Sequence, residues 1–593
     1  MRELEYPFNG ALLLKKRKAL KRQLLEEQRD WLDKRIAILG GSTTHDIRDM
    51  LELFLLNQGI RPAFYESEYA QYWQDAMFPN PALEEFRPDV IYVHTSLRNL
   101  TAFPALTDSP EQVEELLRAQ YARFEGMWER LGEVYACPVI QNNFEYPFWR
   151  LMGNRDAADL HGRVNFVTRL NLRFAEYAQG HEGFYLHDLN YLAADYGLEA
   201  WSDPFYWHMY KYALAVPAIP RLAFSVANMV KSLFGKNKKA FALDLDNTLW
   251  GGVIGDDGVE GIQVGQETSL GQVYSEFQDY LKAHKALGVI LNIISKNDPE
   301  NALAGLNHPE EVLRPEDFIL IKANWDPKSR NLVDMTHELS LLPEAFVFVD
   351  DNPAEREIVR QQVPGACVPE VGDKPEGFLG ILDRSGFFEV TALTGDDLKR
   401  GEMYRDNAAR SRLQATFTDY GEYLRSLEMK ASIRPFEEPY LQRIAQLTNK
   451  SNQFNLTTLR CTPEEIGAMA ADPNCITLAG KLDDRFGTNG VVALTAGKAK
   501  GDTCDIILWL MSCRVLKRDM EKAMLDELVR QCRERELVRL RGHYYPTAKN
   551  AMVREFYEAM GFTLLETDGN GNKTYELDIS GYTNQNAYIE VSV

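Results

Sequence analysis

The sequence predicts an α/β multidomain protein, and three observations carry that prediction. Short apolar runs ending in glycine, hydroxyl or carboxylate residues alternate with helical patterns, as in parallel sheets flanked by helices. These runs begin at Arg35-Ile-Ala-Ile-Leu-Gly-Gly, Val90-Ile-Tyr-Val-His, Pro138-Val-Ile-Gln-Asn-Asn, Phe241-Ala-Leu, Gly288-Val-Ile-Leu-Asn-Ile-Ile and Phe346-Val-Phe-Val. At 593 residues the chain is too long for one core. In its last third the strands at Cys475-Ile-Thr-Leu, Gly490-Val-Val-Ala-Leu and Asp505-Ile-Ile-Leu-Trp-Leu follow one another before a long helix, which reads as α+β.

Composition narrows the function classes. Hydrophobic residues at 45% and charged residues at 26% are ordinary for a globular protein. A net charge of -21 argues against a general nucleic-acid binder. Seven cysteines without a CxxC pair suggest a reducing compartment and no structural zinc. The acidic residues Glu3 and Glu5 and the short apolar run Ala11 to Leu14 fit neither a signal peptide nor a membrane span. The expected location is cytoplasmic, without membrane insertion.

In chain order, residues 1–34 carry a basic helical segment, KKRKALKRQLLEEQ, read as a solvated helix leading into the first domain. Residues 35–235 form the first α/β domain with a parallel sheet. Ser42 stands where a strand turns into a helix, a place that exposes a hydroxyl and offers backbone donors. Asn142 or Asn143 can add an oxyanion donor, and Asp203 with His208 can supply a base. The competing reading has Ser42 and Thr43 capping a helix and His208 packed among aromatics. The set resembles SGNH-type hydrolases, with Gly-Gly-Ser in place of their Gly-Asp-Ser and Asp-Pro-Phe-Tyr-Trp-His in place of their Asp-x-x-His.

Residues 236–394 hold the strongest chemistry. The stretch Phe241 to Gly258, FALDLDNTLWGGVIGDDG, is a buried strand that ends in Asp244 and Asp246, followed by Asn247 and Thr248. Later strands end in Ser295 and in Asp350-Asp351, and Lys328 stands near a helix start. In one parallel sheet all of these groups meet at the carboxyl edge. The chemistry they can do together is phosphoryl transfer. Asp244 attacks phosphorus, and Asp246 protonates the leaving group and then activates water. Ser295 and Lys328 hold the phosphoryl oxygens, with Thr248 and Asn247 beside them. The carboxylates of Asp244, Asp246, Asp350 and Asp351 can hold a magnesium ion together with a backbone carbonyl.

In this order, the four motifs resemble those of the haloacid dehalogenase (HAD) superfamily. The resemblance implies Asp244 as nucleophile, Asp246 as acid/base and Asp351, with Asp350 close behind, as metal ligand. The gaps from Asp246 to Ser295 and from Ser295 to Lys328 are too short for a full cap domain, so the site is capless and admits a large or tethered substrate. The loop Trp250 to Thr268, with six glycines, can serve as a small flap.

Residues 395–593 resemble a GNAT acyltransferase, whose Phe-Tyr-x-x-x-Gly-Phe ending stands at Phe556 to Phe562. The pyrophosphate-gripping glycines of that fold are missing from Arg514-Val-Leu-Lys-Arg-Asp, which favours a phosphopantetheine arm or an acyl group over acetyl-CoA. Thr448-Asn-Lys-Ser-Asn-Gln-Phe-Asn-Leu-Thr, Trp509-Leu-Met-Ser-Cys-Arg-Val-Leu and Tyr545-Pro-Thr-Ala-Lys-Asn, with LDLDNTLWGGVIGDDG, are similar to FkbH-like proteins of HAD subfamily IIIC over essentially the whole chain. That resemblance implies a magnesium-dependent centre that dephosphorylates a small acyl donor such as 1,3-bisphosphoglycerate and passes a glyceryl-type group to an acyl carrier protein. Cys513, at a strand end before a helix, is the best-placed thiol for such a relay, and a small buried hydrophobe is its bland alternative. Asn452 and Asn455, with Asn449 and Gln453, can line the acyl site or serve as caps and loop bonds. The alternative is a stand-alone phosphatase whose flanking domains only bind substrate or partners.

Overall fold

Strands whose residues are buried on both faces need no alternation, and the apolar runs read above fold that way. The computed structural model describes residues 1–27, 30–414, 416–451, 453–512, 515–547 and 549–592. The chain divides into two compact units, Met1–Leu233 and Phe234–Val593. Among the described residues no helix is long and apolar enough to cross a membrane.

In the first unit β1 (Leu32–Gly40), β2 (Ile60–Glu66), β3 (Val90–His94), β4 (Val139–Asn142) and β5 (Phe184–His187) form a parallel sheet in the order β2-β1-β3-β4-β5. Trp128, Phe124, Phe144 and Phe174 build much of the core on one side. The basic segment is the helix Gly10–Glu26, capped by Asn9, whose side chain accepts from the Leu12 N–H at 3.0 Å. Leu13, Leu20 and Leu24 are buried, while Arg17 pairs with Asp46 and Asp49 and Lys21 with Glu52. Two of its six basic residues are therefore spent on the helix His45–Asn57 of the same unit.

The second unit holds two sheets among the described residues. β6 (Ala240–Leu243), β7 (Ile290–Ser295), β8 (Phe318–Ala323) and β9 (Phe346–Val349) run parallel in the order β8-β7-β6-β9. Leu243 lies opposite Ile293 on one side and Val349 on the other, which puts the strand ends level. The second sheet is built from β10 (Met429–Arg434), β11 (Phe454–Asn455), β12 (Cys475–Asp484), β13 (Gly487–Lys500), β14 (Thr503–Met511), β15 (Arg539–Tyr544), β16 (Thr563–Thr567), β17 (Lys573–Asp578) and β18 (Ile589–Ser592). β14 pairs with β15 in parallel over Thr503 to Asp505, and farther along Met511 and Leu510 pair with β11 instead. The helix Met520–Glu534 covers this sheet with Met520, Met524, Leu525 and Leu528. Gly480 makes that possible, since a Cβ there would lie 2.3 Å from the Met520 Cε.

A buried ion cluster ties the helix Arg400–Gln414 to the second sheet. Arg410 donates two 2.7 Å hydrogen bonds to Asp484, and Arg518 approaches the same carboxylate at 3.4 Å. Burial, reinforced by Arg410, pushes Arg518 down to about 10. Asp484→Ala leaves two guanidiniums without their carboxylate. Its expected cost is about 3–5 kcal/mol, as for other broken buried pairs. Thermal unfolding checks this: an unchanged midpoint would show that the cluster contributes nothing to stability.

Candidate active site

Each motif residue of the four-stranded sheet lies at its carboxyl edge. The Asp244 N–H donates to the Val349 carbonyl at 3.0 Å, extending the β6–β9 pairing one step, so Asp244 and Asp350 leave adjacent strands together. Ser295 closes β7, and Lys328 opens the helix Lys328–Glu338. The Lys328 ammonium sits 2.9 Å from Asp244 Oδ2 and 2.6 Å from Asp350 Oδ2, with all three side chains buried. The Ser295 hydroxyl donates to Asp244 as well.

Charge explains the titration of this group. Burial raises Asp244, and Lys328 and Ser295 pull it back. Burial, then the neighbouring Asp244, push Asp350 up to about 6 against the pull of Lys328. Burial alone would lower Lys328, but Asp244 and Asp350 outweigh it and hold the ammonium well above its ordinary value. The cation is therefore permanent. Asp351 joins through Thr248, whose hydroxyl oxygen accepts from the Asp351 N–H at 3.2 Å. Asp244, Asp350 and Asp351 each bring an oxygen within 4.8 Å of the others. The buried Arg356 fixes the turn behind them by donating to the carbonyls of Asp350 and Asp351 at 2.8 and 2.7 Å.

The Asp246 carboxylate lies outside that cluster. Among the described residues it accepts from Trp250 Nε1 at 2.9 Å, from the Ile254 N–H at 3.1 Å and from Asn297 Nδ2 at 3.1 Å. Burial raises its pKa, while the Ile254 N–H, the Trp250 indole and the Lys328 charge lower it. Asn247 takes a left-handed conformation, φ 55°, and its side chain accepts from the Gly252 N–H at 3.0 Å, so it shapes the turn. The glycine-rich loop folds back on itself through paired bonds between Gly251 and Gln263. Trp250 is fully buried under Gly305, where a Cβ would lie 2.7 Å from the indole.

Asn297, Trp250 and Arg356 are the residues that sequence reasoning did not assign. Asn297 stands two positions after Ser295 and Trp250 four after Asp246, and neither spacing by itself points to the Asp246 carboxylate. Arg356 acts on carbonyls, which leave no trace in a sequence.

Elsewhere the candidate residues separate. Ser42 is buried past the end of β1, and Asn142 is buried at the end of β4. Asp203 caps the short helix Pro204–Tyr210 by accepting from the Phe205 N–H at 2.9 Å, and His208 is exposed on that helix. No described hydrogen bond or ion pair joins either of them to Ser42 or Asn142, because local capping takes the aspartate. Asn455 is buried, donating to the Ser451 carbonyl and accepting from the Thr458 N–H, which is loop bonding. Cys513 and Asn452 lie outside the described residues.

Asn297→Ala removes one donor from the Asp246 carboxylate, so the acid form should persist to higher pH. The expected result is an alkaline limb of the kcat profile displaced upward and a kcat about tenfold lower, measured on an aryl phosphate. An unmoved limb would show that Asn297 does not act on Asp246.

Residues 35–231 match the family model of the FkbH N-terminal domain. No curated protein matches the sequence. Among solved structures, the N-terminal part of a Bacteroides fragilis protein containing a phosphatase domain, complexed with Mg, is 28% identical with a TM-score of 0.59, over 64% of this chain and 99% of that one. An acetyltransferase of the GNAT family from Streptococcus pneumoniae is 16% identical with a TM-score of 0.22, over 26% of this chain and 100% of that one. The PaiA N-acetyltransferase from Thermoplasma acidophilum, in complex with coenzyme A, is 14% identical with a TM-score of 0.19, over 25% and 99%. The chain is thus similar to the FkbH N-terminal domain over residues 35–231 and, over 64% of its length, to a protein part that contains a phosphatase domain.

Proposed function

We propose that the chain is a magnesium-dependent phosphatase of the HAD type that works on a phosphorylated acyl donor, such as 1,3-bisphosphoglycerate, and delivers the acyl group to an acyl carrier protein. The observation that carries the phosphoryl half is the contact of Lys328 with both Asp244 and Asp350, while Asp246 is held apart on its own donors.

Three carboxylates around one ammonium leave an excess of negative charge, and an all-oxygen set fits a hard divalent cation. Asp244, Asp350 and Asp351 would hold magnesium, which is also what the Bacteroides fragilis neighbour carries. Bound there, the ion supplies electrostatic stabilisation of the transferring phosphoryl group. Asp244, whose carboxylate form Lys328 and Ser295 favour against burial, attacks the phosphorus of the ester, and Asp246 gives its proton to the departing alkoxide oxygen. The resulting Asp246 carboxylate takes a proton from water, which hydrolyses the aspartyl phosphate. At the other end of such a donor a carrier thiol attacks the acyl-phosphate carbon and displaces phosphate. One donor, one thiol and one water then give a thioester and two phosphates.

The acyl half is supported by the FkbH domain match and by the parting of β14 from β15 after Asp505, which opens that sheet. The test incubates the protein with magnesium, 1,3-bisphosphoglycerate and a carrier protein and reads released phosphate and the carrier's intact mass. A mass gain equal to the dephosphorylated acyl group is expected; phosphate without a mass gain would leave only the stand-alone phosphatase. Asp244→Asn should lower turnover on the order of 10³-fold with the fold retained. Unchanged turnover would remove Asp244 as the nucleophile.

A further inference from the structure

The sheet of the first unit reverses its order between β1 and β3, the place where open parallel sheets form ligand crevices beyond their carboxyl ends. The side chains gathered along that edge are polar and buried. They are Ser42 past β1, His94 ending β3, Asn142 ending β4, Glu145 just beyond it and His187 ending β5.

Their hydrogen bonds fix the protons. The Asn142 amide N–H donates to the Thr95 carbonyl at 3.1 Å, which sets its orientation, and the same nitrogen lies 3.1 Å from His94 Nδ1. That ring nitrogen accepts, so His94 carries its proton on Nε2. Asn142 Oδ1 accepts from His187 Nδ1 at 2.8 Å, and His187 Nε2 accepts from the Ser225 hydroxyl at 2.9 Å. Burial keeps both rings neutral, pushing His94 down to about 3 and His187 to about 4. Within this network His94 Nε2 is left with no acceptor. Among the described residues Ser42 Oγ and Glu145 Oε1 are likewise buried without a partner, although Glu145 Oε2 accepts from the Leu97 N–H at 3.1 Å. Burial pushes Glu145 up to about 7, so its second oxygen is substantially protonated near neutrality.

One loop binds these groups together. The Gly41 N–H donates to the His94 carbonyl at 2.8 Å, and Asn99 Nδ2 donates to the Gly41 carbonyl at 2.9 Å. A Cβ on Gly41 would lie 2.4 Å from the Asn99 amide, so only glycine lets the end of β1 come this close. The helix Pro204–Tyr210 touches the same loops. The Thr43 N–H donates to the Lys211 carbonyl at 3.0 Å, and the Arg98 guanidinium lies over the rings of Trp207 at 4.8 Å and Phe148 at 5.7 Å. That helix buries none of its own residues, and Phe205, Met209 and Tyr210 are exposed. A segment with so little packing opens easily.

Buried polar groups in native proteins are nearly always paired, so three orphans at one sheet edge call for an occupant. His94 Nε2 and the protonated form of Glu145 each carry a hydrogen to donate, and the Ser42 hydroxyl can donate as well. Two carboxylate oxygens can accept from all three, whereas a single carbonyl oxygen cannot comfortably do so. Arg98 lies near enough to Glu145 to lower its pKa, yet donates to none of the three orphaned atoms. We propose that this edge is a binding site for the carboxylate of a small organic acid, held by Ser42, His94 and Glu145 with its apolar body against the helix Pro204–Tyr210. The site owes nothing to the phosphoryl centre, so its test stands whether or not that reading holds.

The full-length chain is titrated with butyrate, with butyramide and with inorganic phosphate while tryptophan fluorescence, to which Trp207 contributes, is followed. Saturable binding of butyrate that Ser42→Ala weakens at least about tenfold is expected. Equal binding of butyramide or phosphate overturns the carboxylate assignment. No saturation by butyrate at tens of millimolar, or a titration unmoved by both Ser42→Ala and His94→Asn, overturns the site. Melting without ligand gives a second reading. Ser42→Ala removes an unmet hydroxyl, so its Tm should be unchanged or raised, and a fall of several degrees would show a structural partner for Ser42 and overturn the proposal.

Discussion

The second unit depends on the placement of one buried ammonium between two buried carboxylates. Taking three charges out of water costs several kcal/mol per ion, and only close geometry offsets it. Lys328 meets that demand at 2.9 and 2.6 Å. The consequence reaches into the fold. Asp244 and Asp350 each follow the last paired residue of β6 and β9, Leu243 opposite Val349. A slip of one residue would turn one carboxylate to the other face of the sheet and strand the ammonium. The ion group therefore specifies strand register, and the strands specify the ion group. Asp351 adds a carboxylate without adding a cation, and that surplus is what makes the cluster receptive to a metal.

Asp246 shows how two aspartates two positions apart acquire different work. Its donors come from the loop that follows, from Trp250 and Ile254, and from Asn297 after β7. Trp250 is at once part of the hydrophobic core and a donor to the carboxylate. Closing the glycine-rich loop and aiming the acid are thus the same event. Gly305 belongs to that event, because any side chain there would strike the indole. Environment separates the two carboxylates: Asp244 is bonded directly to a cation, Asp246 to neutral donors.

The sequence made legible whatever depends on neighbours in the chain. β6, β7 and β9 are continuous apolar runs, and Asp244, Ser295, Lys328 and Asp350 follow from their ends. What depends on distant partners stayed hidden. His94 sits at the end of a strand quoted for its apolar pattern, and its meaning appears only when Tyr92, Asn142 and His187 close around it. The Asp203 to His208 stretch misled for the opposite reason. Its spacing suggests a base, yet Asp203 finds the nearest unmet donors, the first N–H groups of its own helix, and His208 is carried out to solvent. The basic N-terminal segment was legible as a helix, while its pairing with Asp46, Asp49 and Glu52 required the fold.

Two parallel sheets in this chain thus bring polar groups to their carboxyl edges and resolve them differently. At Asp244 the groups are charged, paired and in surplus of one sign, so the edge is suited to a cation. At Ser42 and His94 they are neutral and unpaired, and proton positions decide the outcome. Asn142 fixes His94 as a donor by bonding the Thr95 carbonyl, which a reversed amide would face with its oxygen. Among the described residues none of the three orphaned atoms meets a partner within the chain. The deficit has to be met from outside the chain, by water or by a ligand that brings acceptors. The aromatic helix Pro204–Tyr210, which buries none of its own residues, is the part of the unit best suited to let that guest in.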